Sequence, residues 1–188
     1  MLPSTWQGSL DRLLNQLRNE KGKSFRIAVV GVGNILRSDD AAGVLVARAL
    51  SARNCLRPDR LLVCEAGSAP ENLTGELRKF APDLVLFVDA AALGEDPGAI
   101  QWIAQESIDG MSASTHSLPL HLLVLYLTLE LRCKVVLLGI QPASNELGET
   151  PSTPVLQAVA DVAESLERVL SLHLSLDTLD RTGLGLIK

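Results

Sequence analysis

Apolar residues recur along this chain at two spacings, and the spacing predicts where helices and strands lie. An amphipathic helix is predicted over residues 6–20, ending at Gly22, from apolar residues at helical spacing. These are Trp6, Leu10, Leu13, Leu14 and Leu17. Apolar runs rich in β-branched residues predict buried strands at 26–33, 61–65, 84–90 and 134–140.

A fifth apolar run, residues 99–104, predicts a short strand of a different kind. Only about ten residues separate it from Asp89, too few for the helical crossover that joins parallel strands, so we expect an antiparallel edge strand. The remaining predicted helices cover 39–53, 70–80, 119–131 and 154–174. Ser38 is the predicted cap of the helix at 39–53, residues 105–117 a polar loop and residues 175–188 a tail.

The alternation of strands and helices predicts one α/β domain over residues 1–188, with residues 1–25 as an N-terminal helical extension. We expect a three-layer sandwich resembling the phosphorylase/hydrolase folds. Its twisted sheet would have five strands, mostly parallel with one antiparallel, and helices on both faces. Ligands of such sheets bind beyond the carboxyl ends of the strands, where Asp40 and Asp89 are expected to lie.

Composition limits the functional classes. The chain has 188 residues, 47% hydrophobic, with a net charge of −5, which suits one domain with a full core but disfavours binding to nucleic acid or anionic membranes. No apolar run reaches the roughly 20 residues of a membrane span, and residues 1–25 lack the apolar segment of a signal peptide. Three scattered cysteines, Cys55, Cys64 and Cys133, favour reduced thiols in a cytoplasmic protein.

The Gly-Val-Gly-Asn turn at 31–34 raises the possibility of a dinucleotide-binding loop. That loop needs a third glycine where this chain has Leu36, and a helix N-terminus open to phosphate. Here Asp39 and Asp40 would repel the pyrophosphate. The acidic residue that ends the second strand, Glu65, also lies further beyond Gly33 than the expected ~20 positions. A nucleotide-binding oxidoreductase is therefore a weaker hypothesis.

Asp40, Asp89 and His116 are the residues whose chemistry needs explanation. Asp39 or Asp40 could merely stabilise a helix terminus, whereas Asp89 ends a very apolar strand and must face a solvent cleft, cap a helix or bind a cation. A loop histidine is more often a surface residue, but two carboxylates and one imidazole can form an open site for a divalent metal. His121 is a rival ligand.

Serine-hydrolase and zincin signatures are missing from the sequence. The residues alone thus predict an acidic, potentially metal-binding cleft.

Four sequence blocks resemble the [NiFe]-hydrogenase maturation endopeptidases, and they occur in family order over about residues 26–170. They are GVGNILRSDDAAGVLVARAL, CEAGSAPENLTGELRKFAPDLVLFVDAAALGEDPGAI, STHSLPLHLL and VVLLGIQP. The resemblance is greatest to the branch that serves formate-hydrogenlyase (hydrogenase-3) type enzymes. This chain departs from the family at Ala41, where glycine is common, and in its longer N-terminus.

The resemblance implies a cytoplasmic, monomeric hydrolase that removes the C-terminal extension of the nickel-loaded large-subunit precursor. It implies that Asp40, Asp89 and His116 are both the catalytic and the metal-contacting residues, which recognise nickel in the precursor; another divalent metal could occupy the free enzyme. Hydrolysis would be metal-assisted or, as in an aspartyl protease, assisted by a carboxylate as general base, and both routes stay open. A non-catalytic maturation scaffold is the second alternative.

Overall fold

A computed structural model describes residues 5–53, 59–108 and 117–175. The strands are β1 (Ile27–Val32), β2 (Leu61–Gly67), β3 (Leu84–Ala90), β4 (Ile100–Ala104) and β5 (Lys134–Ile140). The helices are α1 (Trp6–Lys21), α2 (Ala42–Ser51), α3 (Thr74–Phe80), α4 (Gln105–Ile108), α5 (Ser117–Tyr126) and α6 (Thr153–Ser175). Short 3-10 turns cover Gly22–Ser24, Ser38–Ala41 and Pro70–Leu73, and a π-helical turn, Leu127–Leu131, follows α5.

The sheet has five strands in the order β2-β1-β3-β5-β4. The pairs β1–β2, β1–β3 and β3–β5 are parallel, whereas β4 pairs antiparallel with β5 at the edge. This confirms the predicted mostly parallel sheet and its antiparallel edge strand. β3 lies in the centre, and both of its faces and all of its residues are buried.

Helices cover both faces of the sheet because successive strand residues point to opposite sides. On one face Val29, Leu86 and Leu138 pack against α1, α2 and α6. On the other face Val30, Phe87 and Leu137 pack against α3 and α5. The result is the predicted three-layer arrangement.

The N-terminal extension forms part of the core. Its helix α1 ends at Gly22, which has a φ of 71°, as predicted. Four of its apolar residues are buried in the same cluster as the sheet residues, namely Trp6, Leu10, Leu14 and Leu17. The extension therefore covers one face of the sheet.

Three local predictions differ from the structure. Ser38 does not cap a helix: it has a φ of 41° and begins a 3-10 turn, and its hydroxyl donates to the backbone oxygen of Thr150. The predicted loop at 105–117 includes the short helix α4, and α5 begins at Ser117, two residues before Pro119. Residues 109–116 and the predicted tail from 176 onward lie outside the described residues.

Within the described parts of the chain, no helix is both long enough and apolar enough to cross a membrane.

Candidate active site

Two buried carboxylates lie at the carboxyl ends of the central strands. Asp89 is the second-last residue of β3 and is 1% exposed. Asp40 belongs to the 3-10 turn that follows β1, is 4% exposed, and its turn contacts β3 directly. Because β1 and β3 are adjacent parallel strands, both carboxylates occupy one edge of the sheet, as the sequence predicted. The burial of Asp89 excludes the alternative in which it faces open solvent.

Glycines let the segment that bears Asp40 approach the strand ends. A Cβ atom on Gly43, in α2, would lie 2.0 Å from the backbone oxygen of Val88 and 2.4 Å from that of Val32. Any side chain there would push α2 away from the residue that precedes Asp89. Gly43 therefore fixes the distance between the turn with Asp40 and the end of β3.

The backbone around Asp40 fills the place where a dinucleotide phosphate would bind. A Cβ atom on Gly33, whose φ is 134°, would lie 1.8 Å from the backbone oxygen of Asp40. The N–H of Asn34 donates to Oδ2 of Asp40 at 3.0 Å and to its backbone oxygen at 3.1 Å. The loop after β1 therefore closes on its own carboxylate instead of opening toward an anion.

Asp39 has a different environment from its neighbour. Its carboxylate is fully buried and accepts hydrogen bonds from Ala143 N (2.7 Å), Ser144 N (3.2 Å), Ser152 N (2.6 Å) and Ser152 Oγ (2.9 Å). The sequence suggested helix-terminus stabilisation for this residue and missed its real partners. The Asp-Asp pair therefore has one residue bound to a distant loop and one residue at the strand ends.

His116, the third predicted residue, lies outside the described residues. The next residue, Ser117, begins α5, and the π-helical turn after α5 ends three residues before β5 begins. Ten α-helical and five π-helical residues span about 22 Å, close to the roughly 23 Å of the seven-residue β5, so α5 begins near the carboxyl edge of the sheet.

The face of the sheet also links α5 to Asp89. By strand alternation, Asp89 points to the same face as Val85 and Phe87, and this face packs against α5. The helix α5 therefore lies on the side of the sheet to which Asp89 points.

The other histidines are placed differently. Nε2 of His173, in α6, lies 2.8 Å from Oδ1 of Asp11 in α1, so this histidine joins two helices and is accounted for structurally. His121 belongs to α5, and its side chain is outside the described part. Among the described residues, no three His, Cys, Asp or Glu side chains group as a metal site.

A cleft opens beside Asn34, whose N–H binds Asp40. It has a volume of ≈ 310 Å³ and is lined by residues of α2, β2 and the connections that follow β1 and β2, including Ile35 and Ser68. An exposed ion pair, Arg48 with Glu65 at 2.7 Å, borders it. Solvent and polar groups therefore reach the same sheet edge as the buried carboxylates.

Comparison with known proteins gives a consistent result. The hydrogenase maturation protease family matches residues 44–170, a span that includes Asp89 and His116 and begins just after Asp40. The hydrogenase 3 maturation protease of Escherichia coli is 35% identical over 137 residues, covering 72% of this chain and 85% of the relative. The hydrogenase 2 maturation protease of the same organism is 32% identical over 155 residues, covering 78% of this chain and 90% of the relative.

A solved structure agrees with these relatives. The crystal structure of a [NiFe] hydrogenase maturation protease from Thermococcus kodakarensis has 34% sequence identity and a TM-score of 0.73, covering 85% of this chain and 98% of its own. Fold, sequence blocks and relatives agree, and they favour a peptidase over a nucleotide-binding oxidoreductase. The chain belongs to the hydrogenase maturation protease family.

Proposed function

We propose that this protein removes the C-terminal extension of a nickel-loaded [NiFe]-hydrogenase large-subunit precursor, and that Asp40, Asp89 and His116 act at the cut. The main support is the burial of Asp40 and Asp89 together at one sheet edge. Buried carboxylates are costly unless cations or hydrogen bonds stabilise them, and the N–H of Asn34 is one such donor to Asp40. A cation bound by both carboxylates would stabilise the two charges at once.

The nickel ion in this proposal belongs to the substrate. Two carboxylates and an imidazole leave coordination positions open, so they can join an ion that the precursor already holds. By binding that ion, Asp40, Asp89 and His116 would hold the adjacent peptide bond beside the strand ends. A precursor without nickel would lack this anchor, so cleavage would follow metal insertion.

A cleavage assay tests the proposal. Purified precursor is incubated with the protein, with and without nickel, and its mass is measured before and after. We expect loss of the C-terminal extension only from the nickel-loaded precursor, because only that form offers the anchor. Asp40→Asn, Asp89→Asn and His116→Ala should each lower the rate by at least about a hundredfold, since catalytic positioning is worth that much.

The His173→Gln variant is the matched control for His116→Ala, because His173 is buried between α1 and α6, away from the strand ends. It should cleave at the wild-type rate. Binding of the precursor without any change of mass would instead favour a non-catalytic scaffold. Equal cleavage of nickel-free precursor would refute the anchoring role of the three residues.

A further inference from the structure

The carboxylate of Asp39 is buried but has no part in the proposed chemistry. All four hydrogen bonds that it is seen to accept come from one connection, the loop between β5 and α6. Two donors follow the end of β5, at Ala143 and Ser144, and two belong to Ser152, directly before α6. The backbone N–H of Asp39 also donates to the oxygen of Ser144 at 3.1 Å. One side chain thus holds both ends of this loop.

The hydrogen bonds of Asp39 lie beside the end of β3, the central strand. β3 lies between β1 and β5, so the turn after β1 and the loop after β5 flank the end of β3, where Asp89 lies. Asp39 joins the two flanking segments across that end. The joined segments lead into α2 and α6, which pack on the face opposite to Asp89. Asp39 therefore joins these segments on the side of the strand ends opposite to the one to which Asp89 points.

Asp39 is also coupled directly to Asp40 through the backbone. Both belong to the four-residue turn Ser38–Ala41, in which the left-handed Ser38 (φ 41°) begins the change of direction. The carboxylate of Asp39 binds the β5–α6 loop, whereas that of Asp40 accepts from Asn34. Because the two side chains are anchored on different segments, a shift of either anchor moves the backbone of both.

We infer that Asp39 is a positioning residue for peptide cleavage: by binding both ends of the β5–α6 loop, it sets the placement of Asp40 relative to Asp89. This inference rests on the proposed function. Misplacement of Asp40 by about 1 Å would lower the cleavage rate on the order of a hundredfold. A precursor that docks through a broad surface would bind the variant nearly as well as it binds the wild type. The effect should therefore be on kcat and hardly on KM.

The test compares four proteins with nickel-loaded precursor, measured at least 15 °C below the Tm of each variant. In Asp39→Asn the amide would direct N–H groups at the N–H groups of the loop, and we expect kcat to fall by about 10–100-fold with KM within about twofold. Ser152→Ala removes one bond to Asp39 and should lower kcat by about threefold. Ser165→Ala is the matched control, since this buried serine lies within α6, outside the loop that binds Asp39, and its kcat should be unchanged.

The outcomes separate this inference from the proposed function. If Asp40→Asn is inactive but Asp39→Asn is folded with a normal kcat, Asp39 is merely structural and the inference is wrong. If Asp40→Asn cleaves normally, the proposed function itself fails. Should Asp39→Asn not fold, Ser152→Ala and Ser165→Ala decide the matter: equal kcat in this pair overturns the inference, and a lower kcat in Ser152→Ala alone supports it.

Discussion

The neighbouring residues Asp39 and Asp40 have different surroundings in the folded chain, and only one of the two could be placed from the sequence. The sequence identified Asp40 as a residue near the strand ends, because its position after a predicted strand fixes the edge on which it lies. It gave no sign that Asp39 binds Ala143, Ser144 and Ser152, which are 104 to 113 positions away. Local pattern predicts where a turn lies, but the partners of a buried carboxylate depend on which loops the fold brings together.

Two buried thiols give a prediction at the same scale. Burial raises the pKa of Cys64 to about 11, with Glu76 adding to the effect, and burial likewise raises the pKa of Cys133 to about 11. Only the thiolate reacts with alkylating reagents, so at pH 8 both should react with iodoacetamide at least about tenfold more slowly in the folded protein than in urea. Mass spectrometry of the two peptides measures this.

The raised pKa values of Cys64 and Cys133 also determine how the stability of the protein changes with pH. Each folded-state pKa exceeds the ordinary value of 9.0, so the folded protein holds protons that the unfolded chain releases. The contribution of the two thiols to the free energy of unfolding is fully present below pH 9 and is lost as the pH rises from about 9 to 11. Alkylation of folded protein at the rate seen in urea would contradict the burial of these thiols.

At the scale of the elements, the sequence was most informative where apolar runs were long. The bounds of β3 and β5 agree with their predicted ranges, because continuous burial leaves an unbroken apolar signal. Helix starts were less predictable: Ser38 resembles a cap but serves as a left-handed turn, and α5 begins before Pro119. A cap and a turn use the same small polar residues, so tertiary contacts decide between them.

The contact of α2 with the strand ends provides a prediction for an element. Gly43→Ala should force α2 away from Val88, because its Cβ would lie 2.0 Å from that backbone oxygen. Overpacking of this kind costs about 3 kcal/mol, which corresponds to a fall in Tm of about 6–12 °C. The cleavage rate should fall as well, since Asp40 moves with the helix.

Gly75→Ala, in α3, is the matched control, because nothing lies within 4 Å of its added Cβ. Alanine there should stabilise the protein by about 0.5 kcal/mol. Thermal unfolding by circular dichroism measures both variants. Equal Tm values for the two would show that α2 does not depend on the close approach at Gly43.

At the scale of the whole molecule, the sheet order brings together residues that are far apart in sequence. β3 lies between β1 and β5, so the turn with Asp40, the end of β3 with Asp89 and the β5–α6 loop meet at one edge. The N-terminal extension contributes at a distance, because α1 buries Leu10, Leu14 and Leu17 against the same sheet face as α2 and α6. The fold and the shared edge of Asp40 and Asp89 could be predicted from alternation, whereas the approach of the β5–α6 loop to Asp39 needed the strand order.

The central claim is that Asp40, Asp89 and His116 meet around one divalent ion. Crystals of the protein soaked in nickel chloride, measured at the nickel absorption edge, test it most directly. We expect an anomalous peak about 2.1 Å from a carboxylate oxygen of Asp40, one of Asp89 and a ring nitrogen of His116. A nickel peak bound elsewhere, with the imidazole of His116 turned away from both carboxylates, would contradict it.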